Sequence, residues 1–365
     1  MKKYINYLLA ITIAVFVLSS CNGGDDPIPN LPNETTGVYF VDYGGSKVGS
    51  TIITKYDYKK DSVINNFYEA QNGVELTSNV QYGCEYNNKI YLMGNAADQV
   101  IVLDSAFVQT IPGVTEGIIA PRYCIDYNDY LYISCWGEAP DWNLMANSYI
   151  AKFNTKTNKV ESTIALPGGP EGLAIANGNL YVALNFKNSV GVIKLSDNSI
   201  SYIATPAVSS YFVKDKSENL YVSLVNSYSN PSTETGLGYI KTSSNTLDKV
   251  YKLDGISTNY SSIISPNKNC TGIYVLATVY DENWNTVAAV YNFDVEKGEY
   301  SPFIENLSGT LGISFNTAND NLYVFGGESY TEPGSVVVYK TDGTKVCEFD
   351  TGISPYWAFY LNYNE

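Results

Sequence analysis

An all-β fold, a seven-bladed β-propeller with four antiparallel strands per blade, is what this sequence of 365 residues predicts, on three observations. A short phrase recurs seven times, each copy lies in a strand–turn–strand context, and the two ends of the repeat region hold complementary halves of one unit. The phrase is Leu, Ile or Val, then Tyr, then another apolar residue. Its copies are Val38-Tyr39-Phe40, Ile90-Tyr91-Leu92, Leu131-Tyr132-Ile133, Leu180-Tyr181-Val182, Leu220-Tyr221-Val222, Ile273-Tyr274-Val275 and Leu322-Tyr323-Val324. The tyrosines are 52, 41, 49, 40, 53 and 49 residues apart, and propeller blades run roughly 40 to 50 residues each.

Within a unit the elements follow in a fixed order. An apolar segment such as Gly172-Leu173-Ala174-Ile175-Ala176 makes the first strand, and Asn177-Gly178 makes the tight hairpin turn into the Tyr strand. After a variable polar stretch, Ser189 to Leu195 reads as a third strand, Asp197-Asn198 as a turn, and Ser201-Tyr202-Ile203 as a fourth. β-branched and aromatic residues are enriched throughout, as strands favour. One blade cannot cover both of its faces, so neighbours must stack, and a closed ring removes the exposed ends. The first Tyr strand has no partner before it, while Ser354-Pro355-Tyr356-Trp357-Ala358-Phe359-Tyr360 resembles a first strand with no Tyr strand after it. The two ends therefore complete one blade by pairing, and removing the last ten residues is expected to be severely destabilising. Two tandem sandwiches would leave the seven copies unexplained.

The chain start reads as an address. Met1-Lys2-Lys3, an apolar run from Tyr7 to Leu18 and Leu18-Ser19-Ser20-Cys21 form a lipoprotein signal over residues 1–20, with Cys21 as the lipidated first mature residue. The run is shorter than the 20 or so apolar residues that span a bilayer. Residues 21–35, with Pro27, Pro29 and Pro32, read as a flexible tether, and 36–365 as the propeller. The address is the outer membrane, anchored by lipid alone.

Composition narrows the function. The mature chain carries 20 basic and 37 acidic residues, a net charge of −17. With no basic run, nucleic acid is excluded as a partner. There is no histidine, which removes the commonest general base and metal ligand, and with them Ser-His-Asp, Cys-His and His-bearing zinc sites. The expectation is a protein that is not an enzyme, with no metal and no catalytic cofactor. Apart from Cys21 the cysteines are Cys84, Cys124, Cys135, Cys270 and Cys347; Cys124 and Cys135 sit on neighbouring strands and either pair or remain buried thiols.

In a propeller the loops entering each first strand and leaving each Tyr strand share one face around the central channel. Entering segments place Tyr82, Arg122, Tyr123, Glu171, Tyr211, Tyr260, Leu311, Tyr356 and Trp357 there. Leaving loops place Tyr43, Asn95, Trp136, Trp142, Asn185, Phe186, Tyr228, Tyr280, Trp284 and Tyr330. Aromatics dominate both sets. The loop from Trp136 to Met145 is too polar and too broken by Gly137 and Pro140 to be core, so Trp136 and Trp142 are expected to be exposed, with Trp284 as their counterpart in another blade. Exposed aromatics on loops of a rigid scaffold suit recognition by stacking. Arg122 either holds a ligand phosphate or carboxamide through its donor fork, or pairs with Glu85, Asp126 or Glu171. Glu138, Asp141, Asp281 and Glu282 are the carboxylates available to a hydrolase or lyase reading, and no calcium-loop spacing is present.

The lipidation signal followed by the acidic Asn22-Gly23-Gly24-Asp25-Asp26, the Tyr repeats, and Pro121-Arg122-Tyr123 leading into Leu131-Tyr132-Ile133-Ser134-Cys135-Trp136-Gly137 resemble the YncE-like propeller lipoproteins of Bacteroides-type bacteria. Within them the chain is similar to the BtuG-type surface proteins that bind cobalamin. The resemblance implies a cell-surface capture protein that takes cobalamin or a related cobamide from outside and hands it to a TonB-dependent outer-membrane transporter. A corrin is large, nearly neutral and edged with amides and methyl groups, which suits an aromatic face with Asn, Tyr and one Arg. A glycan-binding surface lipoprotein is the alternative that the same aromatic loops permit.

Overall fold

The computed structural model describes residues 37–361, apart from 46–48, 50, 140–143, 258–260, 281, 283–285 and 328–330. Seven antiparallel sheets follow one another along the described chain, and each is one blade. Their inner strands are Pro355–Phe359, Val80–Tyr86, Pro121–Tyr127, Pro170–Ala176, Val208–Lys214, Ile264–Pro266 and Thr310–Asn316, for blades one to seven. Each inner strand lies against the next, and Pro355–Phe359 touches both Thr310–Asn316 and Val80–Tyr86, which closes the ring. All seven repeat tyrosines occupy second strands. The blades are therefore the units that the repeat marks.

Ring closure uses the two chain ends as expected. Pro355–Phe359 pairs antiparallel with Gly37–Asp42, Tyr39 opposite Phe359 and Val41 opposite Trp357. Blades two, three and four turn tightly from first to second strand because their turn residues accept positive φ. Asn87-Asn88, Asn128-Asp129 and Asn177-Gly178 all have φ between 47° and 74°, the conformation that two-residue hairpins need and that Asn, Asp and Gly tolerate.

The repeat tyrosine recurs because each blade has the same packing task. Every one of the seven is at most 4% exposed, and its ring or hydroxyl reaches the following blade. Tyr39 stacks on Phe107 at 4.4 Å, Tyr91 meets Phe153, Tyr221 meets Phe293, Tyr274 stacks on Phe315 at 5.5 Å, and Tyr323 meets Phe40. Tyr132 joins Leu173 and Leu180 of the next blade in one apolar cluster. Tyr181 instead donates its hydroxyl to Asn245 Oδ1 beside the Thr242 carbonyl. A large apolar ring with one polar tip suits a seam that is dry at its centre and polar at its edge.

One expectation needs correction. Six sheets have four strands, but the second blade has three, Val80–Tyr86, Lys89–Gly94 and Gln99–Asp104. Its outer edge is reduced to the bridges Val100–Val114 and Leu103–Gln109. Pro112 and Gly113 lie between the two bridges. The signal, the tether and Cys21 lie outside the described residues, in which no helix is long and apolar enough to cross a membrane.

Candidate functional site

At the start of an inner strand the register against the Tyr strand slips in six of the seven blades. The slips fall between Val80 and Tyr82, Pro121 and Tyr123, Pro170 and Leu173, Ser209 and Phe212, and Thr310 and Gly312, and between Val41 and Asp42 opposite Trp357 and Pro355. A bulge leaves one residue without a ladder partner and re-aims its side chain. Among the residues at these slips are Gln81, Arg122, Glu171, Ser210, Leu311 and Tyr356.

Three of these side chains, from consecutive blades, form a chain of hydrogen bonds. Arg122 donates from Nε and Nη2 to the two carboxylate oxygens of Glu171, each at 3.0 Å, and from Nη1 to Gln81 Oε1 at 3.0 Å. Asn185 Nδ2 donates to Glu171 Oε2 at 3.2 Å. The Trp136 ring covers the guanidinium at 4.0 Å, its Nε1 donates to the Pro170 carbonyl at 3.1 Å, and Phe186 meets its edge at 5.4 Å. Arg122 is 4% exposed and Glu171 1%, so this is a desolvated ion pair with bidentate geometry. Burial pushes the Glu171 carboxyl up, and the Arg122 guanidinium draws it back only in part. Asn185 Oδ1 and Ser210 Oγ are buried here without a hydrogen-bond partner.

Below this layer the next residues of the inner strands form an aromatic group. Tyr82 stacks on Tyr123 with centroids 3.7 Å apart, Trp357 meets Tyr82 edge-on at 4.3 Å, and Tyr211 lies 6.2 Å from Tyr123. Burial pushes the Tyr123 hydroxyl up to about 12, so these phenols stay protonated at physiological pH.

The structure thus brings together Arg122, Trp136, Asn185, Phe186 and Tyr211, and next to them Tyr82 and Trp357. Asn95 ties its loop to blade three, donating from Nδ2 to the Pro121 carbonyl at 3.2 Å. Tyr228 stands alone, 102% exposed. Trp142, Tyr260, Trp284 and Tyr330 lie outside the described residues, and Tyr280 ends the strand Gly272–Tyr280. The expected exposure of Trp136 is corrected, because at 7% it is walled in by Arg122 and Phe186. Of the readings for Arg122, the structure has the pairing with Glu171. Sequence reasoning passed over Gln81 and Ser210, whose signal is their place immediately before the Tyr82 and Tyr211 positions.

A cavity of about 580 Å³ is lined by residues of blades three to five, among them Tyr123, Ile125, Tyr127, Leu173, Phe212 and Lys214. Among the described residues no group of three acidic, Cys or His side chains is placed to hold a metal ion.

The sequence from residue 36 to 358 matches the family described as domain of unknown function DUF5074. The chain belongs to the DUF5074 family. Solved structures share its fold at low identity. A quinoprotein alcohol dehydrogenase-like protein of Bacteroides thetaiotaomicron is 16% identical, with 89% of this chain and 78% of that one covered at a TM-score of 0.65. A candidate 6-phosphogluconolactonase of Bacteroides fragilis is 9% identical, covering 90% and 99% at 0.64. The extracellular domain of a one-component system of B. thetaiotaomicron is 12% identical, covering 73% and 32% at 0.51. At such identities the likeness concerns the fold. No curated protein matches the DUF5074 chain in sequence.

Proposed function

We propose that this DUF5074 propeller is a binding protein, held at the cell surface by lipid on Cys21, that captures cobalamin or a related cobamide and passes it to a TonB-dependent outer-membrane transporter. The observation that carries the reading is the form of the loop face. Its channel mouth is filled by the Arg122–Glu171–Trp136 layer, while Leu144 and Tyr228 are 64% and 102% exposed on leaving loops, and Val279 is 50% exposed near the end of the strand Gly272–Tyr280. Such a face favours a ligand broad enough to contact several loops at once over a small metabolite held in a cleft. A corrin has that breadth, and its methyl groups and amides match apolar side chains beside polar loop backbone. The absence of histidine implies that the intact ligand is enclosed without exchange of its upper cobalt ligand for imidazole.

The exposed Tyr228 also fits a sugar ring, which keeps glycan binding as the second reading. Native gel electrophoresis in the presence of cyanocobalamin, and in gels cast with a panel of glycans, separates the two. Comigration of the red ligand with the protein band is the expected result. Retardation in a glycan gel with no coloured band would assign the face to carbohydrate.

A further inference from the structure

Two sulfurs that the ligand face does not use, one buried and one half-buried, meet between blades two and three. Cys84 lies in the inner strand Val80–Tyr86 of blade two and Cys124 in the inner strand Pro121–Tyr127 of blade three, and their Sγ atoms are 2.6 Å apart. We propose that Cys84 and Cys124 are a dithiol site that is oxidised to a disulfide, joining blades two and three at the channel.

The strands already bring the sulfurs closer than a hydrogen bond between thiols requires, and a covalent S–S bond of about 2.05 Å needs only a small further approach. The pairing considered from sequence, Cys124 with Cys135, is disfavoured by register. Cys124 lies opposite Ile133, and Cys135 lies opposite Pro121. The two partners are unequal in access. Cys124 is 1% exposed, and burial holds its thiol well above the usual range, whereas Cys84 is half-buried. Cys84 is therefore the sulfur that meets an oxidant.

The oxidant is a disulfide-bearing molecule, R–S–S–R, of the kind met in an oxidising compartment. The Cys84 thiolate attacks one of its sulfurs and releases one RSH, which carries off the Cys84 proton. Cys124 then attacks Cys84 Sγ in the mixed disulfide, expels the second thiolate, and gives it the Cys124 proton. Two thiols and one R–S–S–R become one protein disulfide and two RSH.

The position gives the bond a consequence at the ligand face. Tyr82 and Tyr123, stacked at 3.7 Å, and Gln81 and Arg122, hydrogen-bonded at 3.0 Å, lie within three residues of these cysteines on the same two strands. A bond between Cys84 and Cys124 pins the part of the ring on which that network depends.

The test uses the purified folded protein incubated with oxidised glutathione, alkylated in denaturant without reduction, and digested with chymotrypsin for mass spectrometry. Trypsin would not serve, since no Lys or Arg separates Cys124 from Cys135. The expected result is loss of two thiols and a peptide pair linked through Cys84 and Cys124. Cys84→Ser and Cys124→Ser are each expected to leave the other sulfur reduced or in mixed disulfide with glutathione, with an unchanged circular dichroism spectrum. Full alkylation of both cysteines after oxidation, or a link from Cys124 to Cys135, would overturn the proposal. If a variant fails to fold, the linked peptide from the unmodified protein still decides it.

Discussion

Asp42 is the group whose replacement tests the seam of the ring most sharply. It ends the second strand of blade one, opposite Pro355 of the closing strand, and is completely buried. Oδ2 accepts from Thr54 Oγ1 at 2.6 Å, while Oδ1 is buried without a hydrogen-bond partner. Burial raises its pKa from 3.8 to about 7, against the lowering effects of Thr54, Gly352 and Thr351. A carboxyl raised in the folded state keeps its proton where the unfolded chain has lost it. Folding is then penalised progressively as pH rises from about 4 to about 7, and the penalty is constant above that. At about 1.4 kcal/mol per unit the full penalty is at most about 4 kcal/mol, of which about 2 kcal/mol develops between pH 5.5 and pH 8. Asp42→Asn removes the titration and keeps the shape. Urea unfolding of both proteins at those two pH values is the assay, and carboxylates common to both cancel in the difference. The variant is expected to gain about 2 kcal/mol relative to the parent on going from pH 5.5 to 8. A difference that does not change with pH, or that falls, would refute the argument.

The remaining predictions concern the packing and the face. Tyr91→Phe removes a buried hydroxyl that has no partner, so unfolding should show a change within about 0.5 kcal/mol or a gain, whereas Tyr181→Phe, which strands Asn245, should cost about 1 kcal/mol or more. Glu171→Met leaves the Arg122 charge buried without its counter-charge and should cost about 3–5 kcal/mol, while adding Arg122→Met to it should recover much of that loss. Thermal or urea unfolding of the single and double variants measures the recovery, and an additive double variant would speak against a coupled pair. Tyr228→Ala, at a fully exposed position, should leave the unfolding midpoint unchanged and weaken cobalamin binding by about tenfold, or about 1.4 kcal/mol.

The seven blades were legible because every seam has the same physical need. A tyrosine that reaches the next blade must recur at the blade period, and a closing strand must resemble the inner strands it joins. The reduced outer edge of blade two was not legible in that way, since it is confined to a single unit and the repeat phrase marks second strands only. The ligand face was legible in its membership more than in its geometry. Arg122 and Glu171 were both placed at the channel, with their pairing one alternative among several. The bulges that bring Gln81, Arg122 and Glu171 together add one residue each and leave no periodic trace. Trp136 was misjudged because its loop is locally polar, while what buries it, Arg122 and Phe186, comes from a different strand and from the neighbouring blade. Cys84 and Cys124 meet across a seam between blades, a contact set by stacking and invisible to spacing along the chain.

Isothermal calorimetry with cyanocobalamin titrated into the purified protein tests the proposed capture role most directly. Binding of one ligand per propeller with a dissociation constant of about 1 μM or below, about −8 kcal/mol, is the result this account predicts. Heats no larger than dilution, or an affinity no tighter than about 1 mM, would contradict it.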